Sequence, residues 1–180
     1  MTALPTVEYV VLLDEDGRSI GIAPKDQVHH QDTPLHLAFS CYVFDHGGQL
    51  LLTRRALSKK TWPGAWTNTF CGHPLPGESV ADSVQRRGRQ ELGIDLAGLR
   101  LLVPDFRYQA VMDDGTVENE MCPVYSATCL DPSTLAPNPA EVEAVEWVDW
   151  RSFRAAVLTG RRQVSPWCVE QLKVLSEDPR

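Results

Sequence analysis

The sequence has no long apolar run, no closely paired cysteines and no excess of positive charge. No run approaches the roughly 18 consecutive apolar residues that a spanning helix requires. The first 20 residues hold no basic stretch followed by an apolar one, so no leader is expected. Cysteine is sparse and odd in number: Cys41, Cys71, Cys122, Cys129 and Cys168 form no C-x-x-C pair. A disulfide scaffold would need an even, closely spaced set, so a reducing, cytoplasmic setting with mostly buried thiols is expected. Basic residues are outnumbered, 17 Lys+Arg against 24 Asp+Glu for a net charge of −7. General nucleic-acid binding rests on a positive surface and is excluded on that ground. The bias of disordered chains is also missing, because 43% of the 180 residues are hydrophobic and 23% charged. One domain over residues 1–180 is expected, long enough to bury a core.

What is present reads as alternating strands around one long helix. Residues 7–13 and 18–23 flank a Asp-Glu-Asp-Gly turn, and residues 35–44 and 49–53 flank a second turn. Residues 66–70 form a short aromatic and Thr-rich strand. Over residues 78–92, Ala81, Val84, Gly88 and Leu92 recur at helical spacing, and Gly93 ends the helix. Residues 99–103, 106–112, 117–127 and 142–148 are further strands, and the proline-rich residues 132–139 form a loop. Asp149 is placed to cap a helix over 150–158. Ser165 and Pro166 start another over 167–175 as N-cap and first-turn proline. Trp62, Trp66, Trp147 and Trp150 are expected in the core, and Arg161 and Arg162 in solvent. This order gives an α+β class.

The central helix carries a spaced motif. Five residues separate Gly72 from Glu78 and seven separate Glu78 from Arg86; Glu91, Gly93 and Ile94 close the run. This resembles the Nudix box, G-x5-E-x7-R-E-U-x-E-E-x-G-U, over Gly72–Ile94. The departures carry chemical meaning. Diphosphate hydrolysis needs clustered carboxylates to hold metal ions and activate water. Here Arg87 stands where one glutamate belongs and Gln90 where another does, leaving Glu91 alone. Arg87 and Glu91 lie four apart on one helix face, so a cation and a carboxylate could meet the same phosphate. Such a helix suits holding a diphosphate better than cleaving it.

The flanking residues narrow the resemblance. His36-Leu-Ala-Phe, the Leu51–Lys60 segment, the Trp62–Pro74 run with its Cys71-Gly-His73-Pro, Pro104–Tyr108 and Glu118-Asn-Glu120 together resemble type 1 isopentenyl-diphosphate isomerase from about Tyr9 through Trp167. The resemblance implies a Nudix-like α/β/α sandwich with a mixed sheet, and conversion of isopentenyl diphosphate into dimethylallyl diphosphate. The alternative is a Nudix hydrolase of a nucleoside diphosphate derivative, which would have no use for the Cys-Gly-His-Pro run. The partner expected is a small homoallylic or allylic diphosphate, with no nucleic acid and no membrane. The chain is expected to be a monomer, at most a weak dimer.

Glu118 and Glu120, two apart on a strand, project to one face. With nearby histidines they offer a borderline divalent ion (Mn²⁺, Mg²⁺ or Zn²⁺) a mixed N/O ligand set. The resemblance implies His29, His36, His73, Glu118 and Glu120 as ligands, although His30 could replace His29. It also implies Glu91 as the protein carboxylate for a second ion, Mg²⁺ carried by the diphosphate. His46 and His30 otherwise read as surface groups.

Moving an unactivated double bond requires adding a proton at one carbon and removing another from a neighbour, through a tertiary carbocation. That calls for an acid and a base, an electron-rich face for the cation, and exclusion of water. The resemblance implies Cys71 and Glu120 as the acid–base pair, Tyr108 as the hydroxyl that orients Glu120, and Trp167 as the face that meets the cation. A thiol's ordinary pKa of ~8.5 suits the role. Metal coordination of Glu120 favours it as the proton donor and Cys71 as acceptor, though the residues alone leave the order open. Lys25, Arg55, Lys59 and Arg87 are implied for the diphosphate, with Ser40 lining the same pocket.

Overall fold

The computed structural model describes residues 7–180; positions 1–6, part of the domain expected over 1–180 and of the stretch read for a leader, lie outside the described residues. The first hairpin joins β1 (Tyr9–Leu13) to β2 (Ser19–Pro24). Asp14 closes it by accepting the Gly17 amide at its carbonyl (3.0 Å) and the Arg18 amide at Oδ1 (2.8 Å). Two long expected strands each prove to be two, and the short one over 66–70 is broken as well. Residues 35–44 divide into β3 (His36–Leu37) and β4 (Phe39–Phe44). After β4 a second turn leads to β5 (Gln49–Arg55), followed by the short β6 (Trp66–Thr67) and β7 (Phe70–Gly72). After the helix α1 (Val80–Leu92) come β8 (Leu96–Val103) and β9 (Arg107–Val111). Residues 117–127 then divide into β10 (Val117–Met121) and β11 (Val124–Cys129). The chain ends with β12 (Val142–Asp149), α2 (Trp150–Leu158) and α3 (Pro166–Val174); a short 3₁₀ turn, Pro132–Thr134, sits in the proline-rich loop.

The two divisions fall side by side, and for one reason. Pro123 has no N–H to continue a ladder. The Ala38 amide reaches the Met121 carbonyl (2.9 Å) and the Ser40 amide the Pro123 carbonyl (3.1 Å). The paired strands thus leave one sheet together and enter the next. The first sheet has the order β2-β1-β3-β10-β9 and the second β12-β5-β4-β11-β8, with β6 added to β5 and β7 to β4. Pairs β3–β10 and β4–β11 are parallel and the others antiparallel, so the architecture is mixed.

β4 is buried along its whole length, which marks a strand covered on both faces. Phe39, Cys41 and Val43 pack with Val84 and Leu92 of α1, whereas Tyr42 and Phe44 pack with Trp150, Phe153, Cys168 and Leu172 of α2 and α3. The second sheet is therefore the middle layer of an α/β/α sandwich, in an α+β chain.

The helix ends follow the expected chemistry in two cases and depart in one. Gly93 takes the left-handed conformation (φ 68°), and its amide donates to the Arg89 carbonyl at 3.0 Å. Asp149 Oδ1 accepts from the Ser152 amide at 2.8 Å. Ser165 makes no side-chain cap; its buried hydroxyl instead pairs with Thr67 Oγ1 at 2.8 Å. The stripe on α1 also differs from expectation. Ala81 is exposed, and the buried face is Ser83, Val84, Arg87, Gly88, Glu91 and Leu92. Of the four tryptophans expected in the core, only Trp150 is fully buried; Trp62, Trp66 and Trp147 are half-buried. Arg162 is not simply solvated, since it pairs with Glu146 (2.6 Å) and lies over the Trp66 ring. No helix among the described residues is long and apolar enough to cross a membrane.

Candidate active site

Strand register assembles the centre of the site. In the first sheet His36 lies opposite Glu120 across the parallel β3–β10 pair, and Glu120 lies opposite Tyr108 across β10–β9. Three chemically active side chains thus stand in one row. Glu118, two residues before Glu120, shares its face, and the Tyr108 hydroxyl reaches both carboxylates, Glu120 Oε2 at 2.8 Å and Glu118 Oε2. In the second sheet β7 pairs with β4, so Cys71 lies opposite Ser40 and Gly72 opposite Phe39. His73 follows directly and brings Nε2 to 2.9 Å from Glu120 Oε1. His29, from the segment after β2, completes the group at 4.0 Å from the same oxygen, and His36 Nε2 stands at 3.3 Å. His30 points outward and is exposed, as is His46.

This cluster fits a divalent ion. Ligand atoms of His29, His36, His73 and Glu120 all lie within 4.8 Å of one another. His36 Nδ1 sits 2.9 Å from the Pro34 carbonyl, which fixes the proton there and leaves Nε2 as a lone pair. Buried Nε2 atoms of His29 and His36 have no hydrogen-bond partner, an arrangement that costs free energy unless something accepts the lone pairs. Burial alone would raise Glu120, but the three imidazoles gathered around its carboxylate hold it well below the usual carboxylate range. Burial drives His73 the other way, down to about 4, which keeps it a neutral imidazole. Glu118 stands beside this set and is tied to it through Tyr108 rather than being part of the four-atom cluster.

The cluster forms part of the wall of a cavity of about 510 Å³, whose lining includes Cys71, Tyr108, Glu118, Glu120 and Trp167. Burial pushes the Cys71 thiol up to about 12, against the opposing pull of its Ser40 hydrogen bond, so the resting group is a thiol. Trp167 is held from three sides. Its Nε1 donates to Asn68 Oδ1 (3.2 Å), the Trp62 ring meets it edge-on (5.5 Å between centroids), and the Arg55 guanidinium lies 5.4 Å from its ring centre. Lys25, Arg55, Lys59 and Arg87 line the same cavity.

Two residues implied from sequence stand elsewhere. Ser40 is fully buried and does not line the cavity; its hydroxyl lies behind Cys71, 3.2 Å from Sγ, because the two paired residues share one face of the sheet. Glu91 is not in the lining either, since Arg87 Nε holds its Oε1 at 2.9 Å along the buried face of α1. The Nudix-type pair Arg86 and Glu78 is bidentate (2.8 Å twice), and Arg86 also donates to the His73 carbonyl at 3.1 Å, fixing the loop that carries His73.

Sequence reasoning missed Asn68, Glu141 and Gln171. Asn68 Oδ1 accepts from Trp167 and from the Cys71 thiol (3.4 Å), while its amide donates to the Cys41 and Phe70 carbonyls. One side chain therefore sets thiol and indole relative to each other. The available signal was its place three residues before Cys71, in a run of strand formers that an asparagine normally interrupts. Gln171 donates to Ser40 Oγ at 2.8 Å and supports Cys71 from behind. Glu141 pairs with Lys59 and with Arg87, the latter at 3.2 Å.

A NUDIX domain model matches residues 34–168. The chain is 55% identical over 175 residues to the isopentenyl-diphosphate Delta-isomerase of Mycolicibacterium vanbaalenii, covering 97% of this chain and 95% of that one. It is 54% identical over 171 residues to the protein of the same name from Saccharopolyspora erythraea, covering 95% and 87%. Among solved structures, a Deinococcus radiodurans protein superposes with a TM-score of 0.69 at 20% identity, covering 92% of this chain and 98% of that chain. A MutT protein from Methanosarcina mazei does so at 0.59 and 16%, covering 79% and 93%; these two likenesses bear on the fold. With the Nudix layer order and a matching relative across nearly the whole length, the chain belongs to the isopentenyl-diphosphate Delta-isomerase family of Nudix-domain proteins.

Proposed function

We propose that the protein converts isopentenyl diphosphate into dimethylallyl diphosphate, with Cys71 and Glu120 as the acid–base pair. The observation that carries the reading is one cavity lined by a thiol, a histidine-bound carboxylate, an indole and several cations. Proton transfer to the terminal carbon creates a tertiary cation, and loss of a proton from the carbon on its other side completes the shift. Trp167 offers the cation a π face, worth roughly 0.5–2 kcal/mol and more where water is excluded. Tyr108 holds Glu120 in place through Oε2. In their resting states the thiol holds its proton and the carboxylate does not. That balance favours Cys71 as first donor and Glu120 as acceptor, the reverse of the order suggested by metal coordination alone.

A divalent ion held by His29, His36, His73 and Glu120, with Glu118 as a further ligand, would neutralise the buried carboxylate and tune its basicity. Mn²⁺, Mg²⁺ and Zn²⁺ all suit these donors. Lys25, Arg55, Lys59 and Arg87 grip the diphosphate. Arg87 must exchange the Glu91 carboxylate for phosphate oxygens before Glu91 is free to meet a Mg²⁺ carried by the substrate. Five free thiols suit the cytoplasm, and the reading needs no second chain. Hydrolysis is the weaker reading, because α1 presents Arg87 and Gln90 where clustered carboxylates would be needed. Incubation with isopentenyl diphosphate, Mg²⁺ and Mn²⁺ in D₂O tests the choice. Deuterated dimethylallyl diphosphate without phosphate release is expected; phosphate release without deuterium would replace the isomerase with a hydrolase.

A further inference from the structure

Most cations that face the cavity are already paired with carboxylates of the chain. Lys25 pairs with Glu8 at 2.7 Å, Arg87 with Glu91, and Lys59 with Glu141. Glu141 is the acid that joins two of these cations, since its other oxygen lies 3.2 Å from Arg87 Nη2, and it lines the cavity itself. Its position is set by backbone bonds. The Glu141 carbonyl accepts from the Ala56 amide (3.0 Å) and its amide donates to the Asn138 carbonyl (2.9 Å). The loop before it rests on the end of α1, where the Leu92 and Glu91 carbonyls accept from Ala136 and Asn138, each at 2.8 Å. These are the carbonyls a helix leaves unpaired at its C-terminus. Lys59 and Arg87 hold Glu141 ionised, down to about 2 despite its burial.

A fixed negative charge between two phosphate-binding cations opposes any anion that approaches them. We infer that Glu141 is a specificity-determining residue that makes the cation site select a diphosphate carrying its divalent ion over the metal-free diphosphate. The inference rests on the diphosphate reading above. A bare diphosphate must displace Glu141 and then lie beside it, whereas the metal complex brings a positive charge that Glu141 can face.

The probe is inorganic pyrophosphate, titrated calorimetrically with excess Mg²⁺ and again with EDTA, into the parent chain, Glu141→Gln and Glu141→Asp. Chelation strips any ion from the histidine cluster in all three alike, so the comparison between chains isolates Glu141. The parent is expected to prefer the Mg²⁺ complex by roughly tenfold or more. Glu141→Gln should reduce that preference to about threefold or less by gaining metal-free affinity, and Glu141→Asp should retain the parental ratio. An unchanged ratio in Glu141→Gln overturns the inference, as does a loss of affinity under both conditions. A Glu141→Gln chain that fails to melt cooperatively passes the decision to Glu141→Asp, whose shorter carboxylate must then keep the Mg²⁺ preference of the parent; loss of that preference overturns the inference. Absence of deuterium incorporation by the parent would instead overturn the isomerase reading and leave the pyrophosphate ratio to be judged on its own.

Discussion

At the scale of single residues, the proposed reaction separates groups that would react from groups that hold them. Cys71 and Glu120 each lack a substitute: Ser40 does not line the cavity, and Glu118 lies outside the histidine cluster. Cys71→Ala and Glu120→Gln are each expected to lower turnover by about 10³-fold or more, at the upper part of what general acid–base groups contribute. Pyrophosphate affinity, measured on the same preparations, should change little, since neither residue faces the head group in the reading above. Near-parental turnover in either variant would remove that residue from the acid–base pair. The residues proposed to react stand in the Cys-Gly-His-Pro and Glu-Asn-Glu runs, and the sequence singles them out there. Asn68 was not, because its importance lies in contacts with Cys71, three positions on, and with Trp167, nearly a hundred positions on.

Among the elements, α1 and β7 show how closely packing and site are joined. Gly72 takes no unusual backbone conformation; what it supplies is room. A Cβ there would stand 2.8 Å from Phe39 Cζ and 2.9 Å from Arg87 Cγ. The Phe39 ring is fully buried and has little space to yield, so Arg87 would be driven from its place against β7. Gly72→Ala is expected to cost about 1–3 kcal/mol in urea unfolding. It should also weaken pyrophosphate binding while leaving the metal content of the chain unchanged. Parental binding in a destabilised Gly72→Ala chain would show that Arg87 is not positioned by this contact. The expected stripe on α1 was partly misread for a related reason. Apolar spacing points to Ala81, but the buried face is completed by the Arg87–Glu91 pair, and buried charges are tolerated where each meets an opposite one.

For the whole molecule, the histidine cluster joins segments that are far apart in the chain. His29 precedes β3, His36 is in β3, His73 follows β7 and Glu120 is in β10. An ion binding only the folded state adds stability by mass action. Chelation is therefore expected to lower the melting temperature by about 5 °C or more. Restoring Mn²⁺, Zn²⁺ or Mg²⁺ should recover both the melting temperature and turnover. An unchanged melting temperature together with no metal in elemental analysis of active protein would exclude a resident ion.

Periodicity, turn chemistry and the spacing of the Gly72–Ile94 run were enough to order the elements, because each depends on residues a few positions apart. The helix over 150–158 and the αL glycine after α1 followed from such local signals. Local signals could not divide residues 35–44 or 117–127 between two sheets, since that break exists only where the two segments lie side by side and Pro123 interrupts their shared ladder. Nor could they distinguish His29 from His30, find Asn68, or reveal the carboxylates that already pair with the cations of the cavity. Those outcomes follow from which distant chains share a face and which charges must be buried together, and both are fixed only when the layers close around β4.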